Sequence, residues 1–221
     1  MAGYTLVIGN KNYSSWSLRP WLLMRQAGLA FEEIRIPLYE GSYKDAIRKY
    51  SASGKVPALI DGDLAIWDSL AISEYLAERH PALHLWPAQP ARRAVARSIS
   101  AEMHSGFGAL RSNMSMNCRG YFPGVGRTVE VAADIDRIQR IWTECRERAG
   151  SHGPFLFGAF SIADAMYAPV VLRFKIYAVQ LAPACRQYAD TILALPTLQQ
   201  WIAEATAETE VIPAFEPAAK P

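Results

Sequence analysis

Three short segments carry side chains whose types and spacing suit one small ligand. The first is YSSWSLRPW, residues 13–21, where hydroxyls at Ser14, Ser15 and Ser17 stand between an extended run and a helix start. A hydroxyl there caps the helix by taking one of the N–H groups that the first turn leaves free, and at least one of the three is expected to do so. The second is GKVPAL, residues 54–59, in which Pro57 opens a strand, since inside one it would remove a ladder hydrogen bond. A cis bond before Pro57 would turn the backbone of Val56 outward to pair with an extended ligand, although the residues alone favour trans. The third is WDSLAI, residues 67–72, where Asp68 and Ser69 open a helix whose free N–H groups favour a carboxylate while the Asp68 carboxylate receives an ammonium. Plain capping by Asp68 is the competing reading. A ligand with a free amino-acid head, a peptide backbone and a thiol would satisfy all three segments.

The rest of the sequence narrows the chemistry further. The three cysteines, Cys118, Cys145 and Cys185, are odd in number and far apart, which argues against a disulfide framework or a thiolate metal site. Of the four histidines, His80 and His84 have helical spacing, but Pro81 lies between them and breaks the helix a metal-binding pair needs. No metal is expected. The net charge of +2 arises from 23 basic and 21 acidic residues mixed along the chain, so no nucleic-acid surface follows. The first residues lack the cationic flank and apolar run of a secretion signal, and no stretch is apolar for long enough to span a bilayer, so a cytoplasmic, membrane-free protein is expected. With 221 residues, 51% of them hydrophobic, the chain can bury one large core or two modest ones.

The elements that must position these segments alternate over the first 80 residues. Residues 5–8 read as a buried strand and 17–27 as a helix ending at Gly28, its start placed near Ser17 because Pro20 is tolerated in a first turn. Phe31, Ile34, Ile36 and Leu38 suggest a second strand, and 45–50 a short helix. Residues 56–60 and 64–67 flank Asp61, Gly62 and Asp63 as a hairpin, and 69–80 form a helix capped by Asp68. Pro81, Pro87 and Pro90 mark a linker over 81–90. Helical patterns follow at 92–117, 128–149 (ended by Gly150), 162–177 and in two shorter runs finishing near 206, which makes residues 91–221 an all-α domain. Ser161 and Asp164 have the spacing of a capping box, a structural role.

The order of these motifs, hydroxyl before the first helix, Val-Pro before the third strand, and acidic-Ser opening the third helix, resembles the cytosolic glutathione transferase superfamily over nearly the whole chain. SSWSLRPW is similar to the SSCSxR motif of the zeta class, which includes maleylacetoacetate isomerases, and Trp16 stands where that class has cysteine. The resemblance implies a thioredoxin-like glutathione-binding domain over 1–80 followed by the helical domain, a homodimer, and glutathione as cosubstrate. It also implies that Pro57 is cis, that Val56 pairs with the cysteinyl part of glutathione, that Asp68 and Ser69 hold its γ-glutamyl end, and that Lys55 reaches its glycyl carboxylate. Ser14 matches the zeta serine, whereas distance to Arg19 in the delta and theta enzymes points to Ser15.

Serine is too weak an acid to serve as a base, but it can donate a hydrogen bond to a thiolate beside a helix N-terminus. The expected activity is attack of glutathione thiolate on a small electrophile. The alternatives are a zeta-like cis–trans isomerisation of an unsaturated diacid and a glutathione-binding module without turnover. The electrophile is expected between the two domains, against Trp16 or Trp21 and a helix bearing Met103, His104, Phe107, Leu110, Arg111 and Met114, although apolar residues at that spacing also suit a core. Arg111 and Arg119 would favour an anionic substrate.

Overall fold

The computed structural model describes residues 3–149 and 153–217. The chain begins with β1 (Tyr4–Ile8), α1 (Ser15–Gln26), β2 (Phe31–Arg35), α2 (Tyr43–Arg48), β3 (Ala58–Asp61), β4 (Leu64–Trp67) and α3 (Ser69–Arg79). The strands form one four-stranded sheet in the order β2-β1-β3-β4, with β1 parallel to β2 and β3 antiparallel to both its neighbours. The apolar run in β1 is buried on both faces: Leu6 and Ile8 join the main core, while Val7 packs with Ile36, Ile47 and Ala58 in a smaller cluster. This is the thioredoxin-like unit that the resemblance implies.

A 3-10 turn at Pro81–Leu83 leads to α4 (Pro90–Ser105), α5 (Gly108–Asn113), α6 (Val129–Ala149), α7 (Ile162–Ile176), α8 (Pro183–Leu193) and α9 (Pro196–Ala207), with a final 3-10 turn at Pro213–Phe215. Helix α7 is apolar all round and buried along nearly its whole length, which makes it the centre of the helical part. Trp142 of α6 packs against Tyr167, Phe174 and Tyr188. The capping box of Ser161 and Asp164 forms, and Asp164 takes a third bond from the N–H of Leu156 at 3.1 Å.

Helix α1 joins the two parts by packing on α7, and the loop after β1 is held from the far end of the chain. Lys11 is buried between Glu33 at 2.6 Å and Glu204, and its backbone N–H donates to Glu208 at 2.7 Å. Trp201 Nε1 donates to the Lys11 carbonyl at 3.0 Å.

Four elements differ from the sequence reading. Helix α1 starts at Ser15 rather than near Ser17, so Pro20 lies inside it. The N–H that Pro20 lacks would have bonded the Trp16 carbonyl, and burial of Leu18, Trp21, Leu22 and Leu23 outweighs that loss. Strand β2 stops at Arg35, before Ile36 and Leu38, and α2 begins two residues earlier than expected. The single helix expected over 92–117 is two, because the chain turns at Gly106 and Phe107. A Cβ on Gly106 would sit 2.7 Å from the Glu102 carbonyl oxygen, and Phe107 takes a left-handed φ of 55°. The expected C-cap Gly150 lies outside the described residues.

Candidate functional site

The start of α1 brings the serines together in different roles. Ser14 is the N-cap: its Oγ accepts the Ser17 N–H at 3.4 Å and donates to Ser17 Oγ at 2.7 Å. Ser17 Oγ in turn accepts the Gly9 N–H at 3.1 Å, which ties the end of β1 to the helix and makes Ser17 a structural hydroxyl. Ser15 Oγ accepts a hydrogen bond from Arg173 Nη2 at 3.2 Å. Ser14 and Ser15 both line a cavity of about 680 Å³, a volume in the range of small-ligand sites.

A neighbouring phenol is committed elsewhere. The Tyr13 hydroxyl donates to Glu216 at 2.5 Å and accepts from Arg119 at 2.9 Å and from the Ile212 N–H at 3.3 Å. Burial, with Glu216 alongside, pushes its pKa up. Arg119 spends its other contacts on the carbonyls of Glu208 and Glu210, so it anchors the C-terminal segment instead of facing the cavity.

Lys55 and Val56 line the opposite wall. The Val56–Pro57 bond is cis, as the resemblance implies. The backbone N–H and C=O of Val56 make no hydrogen bond among the described residues, which leaves one donor and one acceptor for an extended partner.

Asp68 and Ser69 lie beside this cavity rather than on its wall. Asp68 caps α3 with Oδ1, which takes the Leu70 N–H at 2.8 Å and the Ala71 N–H at 3.2 Å. Its backbone is held at φ 78°, a conformation that costs energy for a residue with a Cβ. Oδ2 meets His104 Nε2 of α4 at 2.5 Å. Burial acts to raise the Asp68 carboxyl, but the His104 bond and the two backbone N–H groups outweigh it and hold the pKa below the usual carboxylate value. Ser69 is fully buried and its Oγ accepts from Arg19 Nη1 at 3.2 Å.

Three guanidiniums surround the serines. Arg19 lies 4.2 Å over the Trp16 ring and Arg111 5.5 Å from it. Burial, followed by the charges of Arg173 and Arg111, lowers the Arg19 pKa to about 9, and burial followed by Arg111 lowers that of Arg173 to about 10. Burial also lowers Arg111. None of the three forms an ion pair with a carboxylate among the described residues. Buried positive charge without a counterion favours an anionic occupant.

The residues expected around an electrophile divide sharply. Trp16 and Arg111 line the cavity. Met103, Leu110 and Met114 are fully buried in the core, and Phe107 is also in it. His104 turns to Asp68 and packs edge-on to Trp16 at 5.2 Å. Trp21 is buried and donates to Glu33 at 2.6 Å, away from the cavity. In place of the missing residues, the wall takes Ser115, Met116, Tyr39 and Phe215. Arg173 was not singled out from the sequence, although it is a buried charge following the apolar run APVVL in IADAMYAPVVLRFKI. Phe215 follows the last helical pattern and left no periodic signal.

No cluster of His, Cys, Asp or Glu among the described residues could hold a metal ion, and no described helix is long and apolar enough to cross a membrane.

Residues 13–79 match the family model of the glutathione S-transferase N-terminal domain, and residues 128–204 match that of its C-terminal domain. The chain is 36% identical over 101 residues to "Glutathione S-transferase Z2" of Arabidopsis thaliana, covering 43% of this chain and 45% of the relative. It is 34% identical over 98 residues to "Probable maleylacetoacetate isomerase" of Caenorhabditis elegans, covering 44% and 45%. The chain thus spans under half the length of either relative. A solved structure of a glutathione transferase homolog from Burkholderia GL BGR1, with bound glutathione, superimposes with a TM-score of 0.71 at 23% identity, covering 92% of this chain and 98% of that one.

Proposed function

The chain belongs to the glutathione S-transferase family, and from that premise we propose that it binds glutathione in the cavity at the start of α1 and activates the thiol through a serine hydroxyl, Ser14 or Ser15, for attack on a small electrophile. The observation that carries this reading is the meeting, around one cavity, of two serines at a helix N-terminus, the backbone of Val56 with no partner among the described residues, and Arg111 and Arg173, neither of which forms an ion pair among the described residues. In it, Val56 pairs with the cysteinyl residue, Lys55 faces the glycyl carboxylate, and Asp68 and Ser69 receive the γ-glutamyl end. Asp68 is suited to an ammonium because its carboxyl is held ionised.

A free thiol has a pKa of about 8.5, so only a few per cent is thiolate at neutral pH. Lowering that value by two units takes about 2.7 kcal/mol of preferential anion stabilisation. One charge-assisted hydrogen bond beside a helix terminus is of that size. The thiol proton leaves to solvent while the serine keeps its own O–H bond and donates a hydrogen bond to sulfur.

Residues 1–80 form the glutathione-binding domain in this reading, 81–90 the linker, and 91–221 the domain that adds the electrophile wall through Arg111, Ser115, Met116 and Phe215. The working unit is a homodimer in the cytoplasm, with no metal. Retention on glutathione-agarose followed by a conjugation assay of Ser14→Ala and Ser15→Ala tests it. Unchanged turnover in both variants would remove the serine mechanism. Retention with no depression of the bound thiol pKa, read from ultraviolet thiolate absorbance, would instead favour a binding module without turnover.

A second reading has its own support. Arg111 and Arg173 line the cavity and form no ion pair among the described residues, which suits an electrophile carrying carboxylates, and one similar protein bears the name "Probable maleylacetoacetate isomerase". Glutathione-dependent cis–trans isomerisation of an unsaturated diacid would use the same thiolate, added and then expelled. Incubation with maleylacetone and glutathione decides it, and absence of isomerisation at saturating substrate would remove it.

A further inference from the structure

The hydrogen bonds around the two serines are unequal, and the inequality selects between them. Ser14 Oγ directs its proton to Ser17 Oγ at 2.7 Å and is engaged a second time as acceptor from the Ser17 N–H. Its hydroxyl is spent within the first turn of α1. Ser15 Oγ receives one bond, from Arg173 Nη2 at 3.2 Å, and its own proton has no acceptor among the described residues. A hydroxyl whose oxygen is occupied by a cationic donor turns its proton away from that donor, and here the remaining space is the cavity.

Arg173 is placed for this role by an unusual local setting. It is buried in α7, well beyond the Asp164 carboxylate that closes the helix cap, and its Nε donates to the Met114 carbonyl at 2.8 Å. No carboxylate among the described residues neutralises it, and Nη1 takes no partner there. Bringing a lone guanidinium into a core is costly unless something recovers the charge. An anion in the cavity beside Ser15 would recover it.

On the reading that glutathione occupies this cavity, we propose that Ser15 is the hydroxyl that meets the sulfur and that Arg173 is its positioning residue. Arg173 holds the Ser15 oxygen from behind, aims its proton at the thiolate and adds positive charge behind it. The S–H bond of glutathione breaks, its proton goes to water, and neither Ser15 nor Arg173 changes its protonation state. Because the guanidinium acts through the hydroxyl, the two side chains form one unit and their effects on the thiolate should not add.

The test is the pKa of glutathione bound to the full-length protein, followed by thiolate absorbance across pH. Ser15→Ala should raise it by about one unit or more, leaving roughly tenfold less thiolate at a given pH below it, and Ser14→Ala should raise it by less. Arg173→Gln should raise it by a similar amount to Ser15→Ala, Arg173→Lys by less because the charge is kept, and the double variant Ser15→Ala/Arg173→Gln by no more than the larger single one. A larger shift in Ser14→Ala than in Ser15→Ala overturns the assignment. Additive shifts in the double variant, with the wild-type pKa depressed, overturn the positioning role while leaving thiol activation intact. If Arg173→Gln does not fold, the serine pair and Arg173→Lys decide: an upward shift on Arg173→Lys that is present with Ser15 and vanishes in the Ser15→Ala background supports the coupling, and equal shifts in both backgrounds refute it. A wild-type protein that leaves the bound thiol at its free value refutes the proposed function and this inference together.

Discussion

Helices α3 and α7 both begin at a serine and an aspartate, yet their two N-termini do opposite things. At α7 the Asp164 carboxylate takes the N–H and the hydroxyl of Ser161 and the N–H of Leu156, all inside a site with no exposure. At α3 the Asp68 carboxylate takes two N–H groups with one oxygen and reaches His104 with the other, half-exposed and on a strained backbone. The first set of partners closes on itself. The second leaves a half-exposed carboxylate beside the cavity, where an incoming ammonium would compete with an imidazole. A motif of capping residues therefore says little about role until the remaining lone pairs have been traced to a neighbour or to open space.

The strongest test of that contrast is Asp164→Ala. It strands three donors in a core where each unsatisfied group costs about 1–3 kcal/mol, so a loss of roughly 3–5 kcal/mol is expected in urea unfolding. The variant that remains folded should bind glutathione as wild type does. A loss below about 1 kcal/mol would mean that the α7 cap closes without its aspartate.

Next in size is Ser15→Ala. The lost hydrogen bond to an anion corresponds to about 1.5–3 kcal/mol, or roughly tenfold to a hundredfold in kcat/KM for conjugation. Unfolding free energy should fall by only about 1 kcal/mol, because Ser15 gives up a single bond, the one its oxygen accepts from Arg173 Nη2, while Arg173 keeps the Met114 carbonyl. An activity loss matched by an equal stability loss would make Ser15 a structural residue like Ser17.

These contrasts also mark what the sequence discloses. The alternation over the first 80 residues, the hairpin and the capping box at Ser161 are local, and the chain reproduces them because propensity, pattern and burial agree there. The break at Gly106 was invisible to a period count: apolar residues on both sides keep helical spacing, and a close approach to the Glu102 carbonyl decides the turn. Met103 and Phe107 were therefore expected at the cavity and lie in the core. Arg173 was missed for the converse reason. Hydrophobic patterning registers α7 as apolar all round and says nothing of where a single guanidinium in it points. The serines, Val56 and Asp68 were legible because each sits where the backbone itself has unpaired groups.

Asp68→Ala is a smaller perturbation with two readouts. Loss of the cap should cost about 1 kcal/mol of stability. Loss of the ammonium partner should weaken binding of S-methylglutathione, which keeps the γ-glutamyl end and has no thiol, by about tenfold in calorimetry. The pH dependence has a definite sign. The folded-state pKa of Asp68 lies below its unfolded value, so the stability it contributes is fully present above about pH 4 and disappears as pH falls through the depressed folded value. The difference between wild type and Asp68→Ala should then be flat from pH 8 to 5 on account of this group and close only in acid. A difference that already shrinks between pH 7 and 5 would mean that Asp68 is not held ionised.

The smallest effect should come from His104→Ala. The His104–Asp68 contact spans 2.5 Å, but both side chains are partly open to solvent, at 28% and 39%, and exposed ion pairs contribute about 0–1 kcal/mol. Asp68 retains its two backbone N–H bonds without the imidazole, so the cap survives and the unfolding midpoint should shift by no more than a few degrees. The informative quantity is the affinity for S-methylglutathione. If imidazole and ammonium compete for Oδ2, removing the imidazole should tighten binding slightly. If His104 instead orients the carboxylate, binding should weaken. The sign of this one change tells whether α4 readies the Asp68 carboxylate for an ammonium or keeps it occupied.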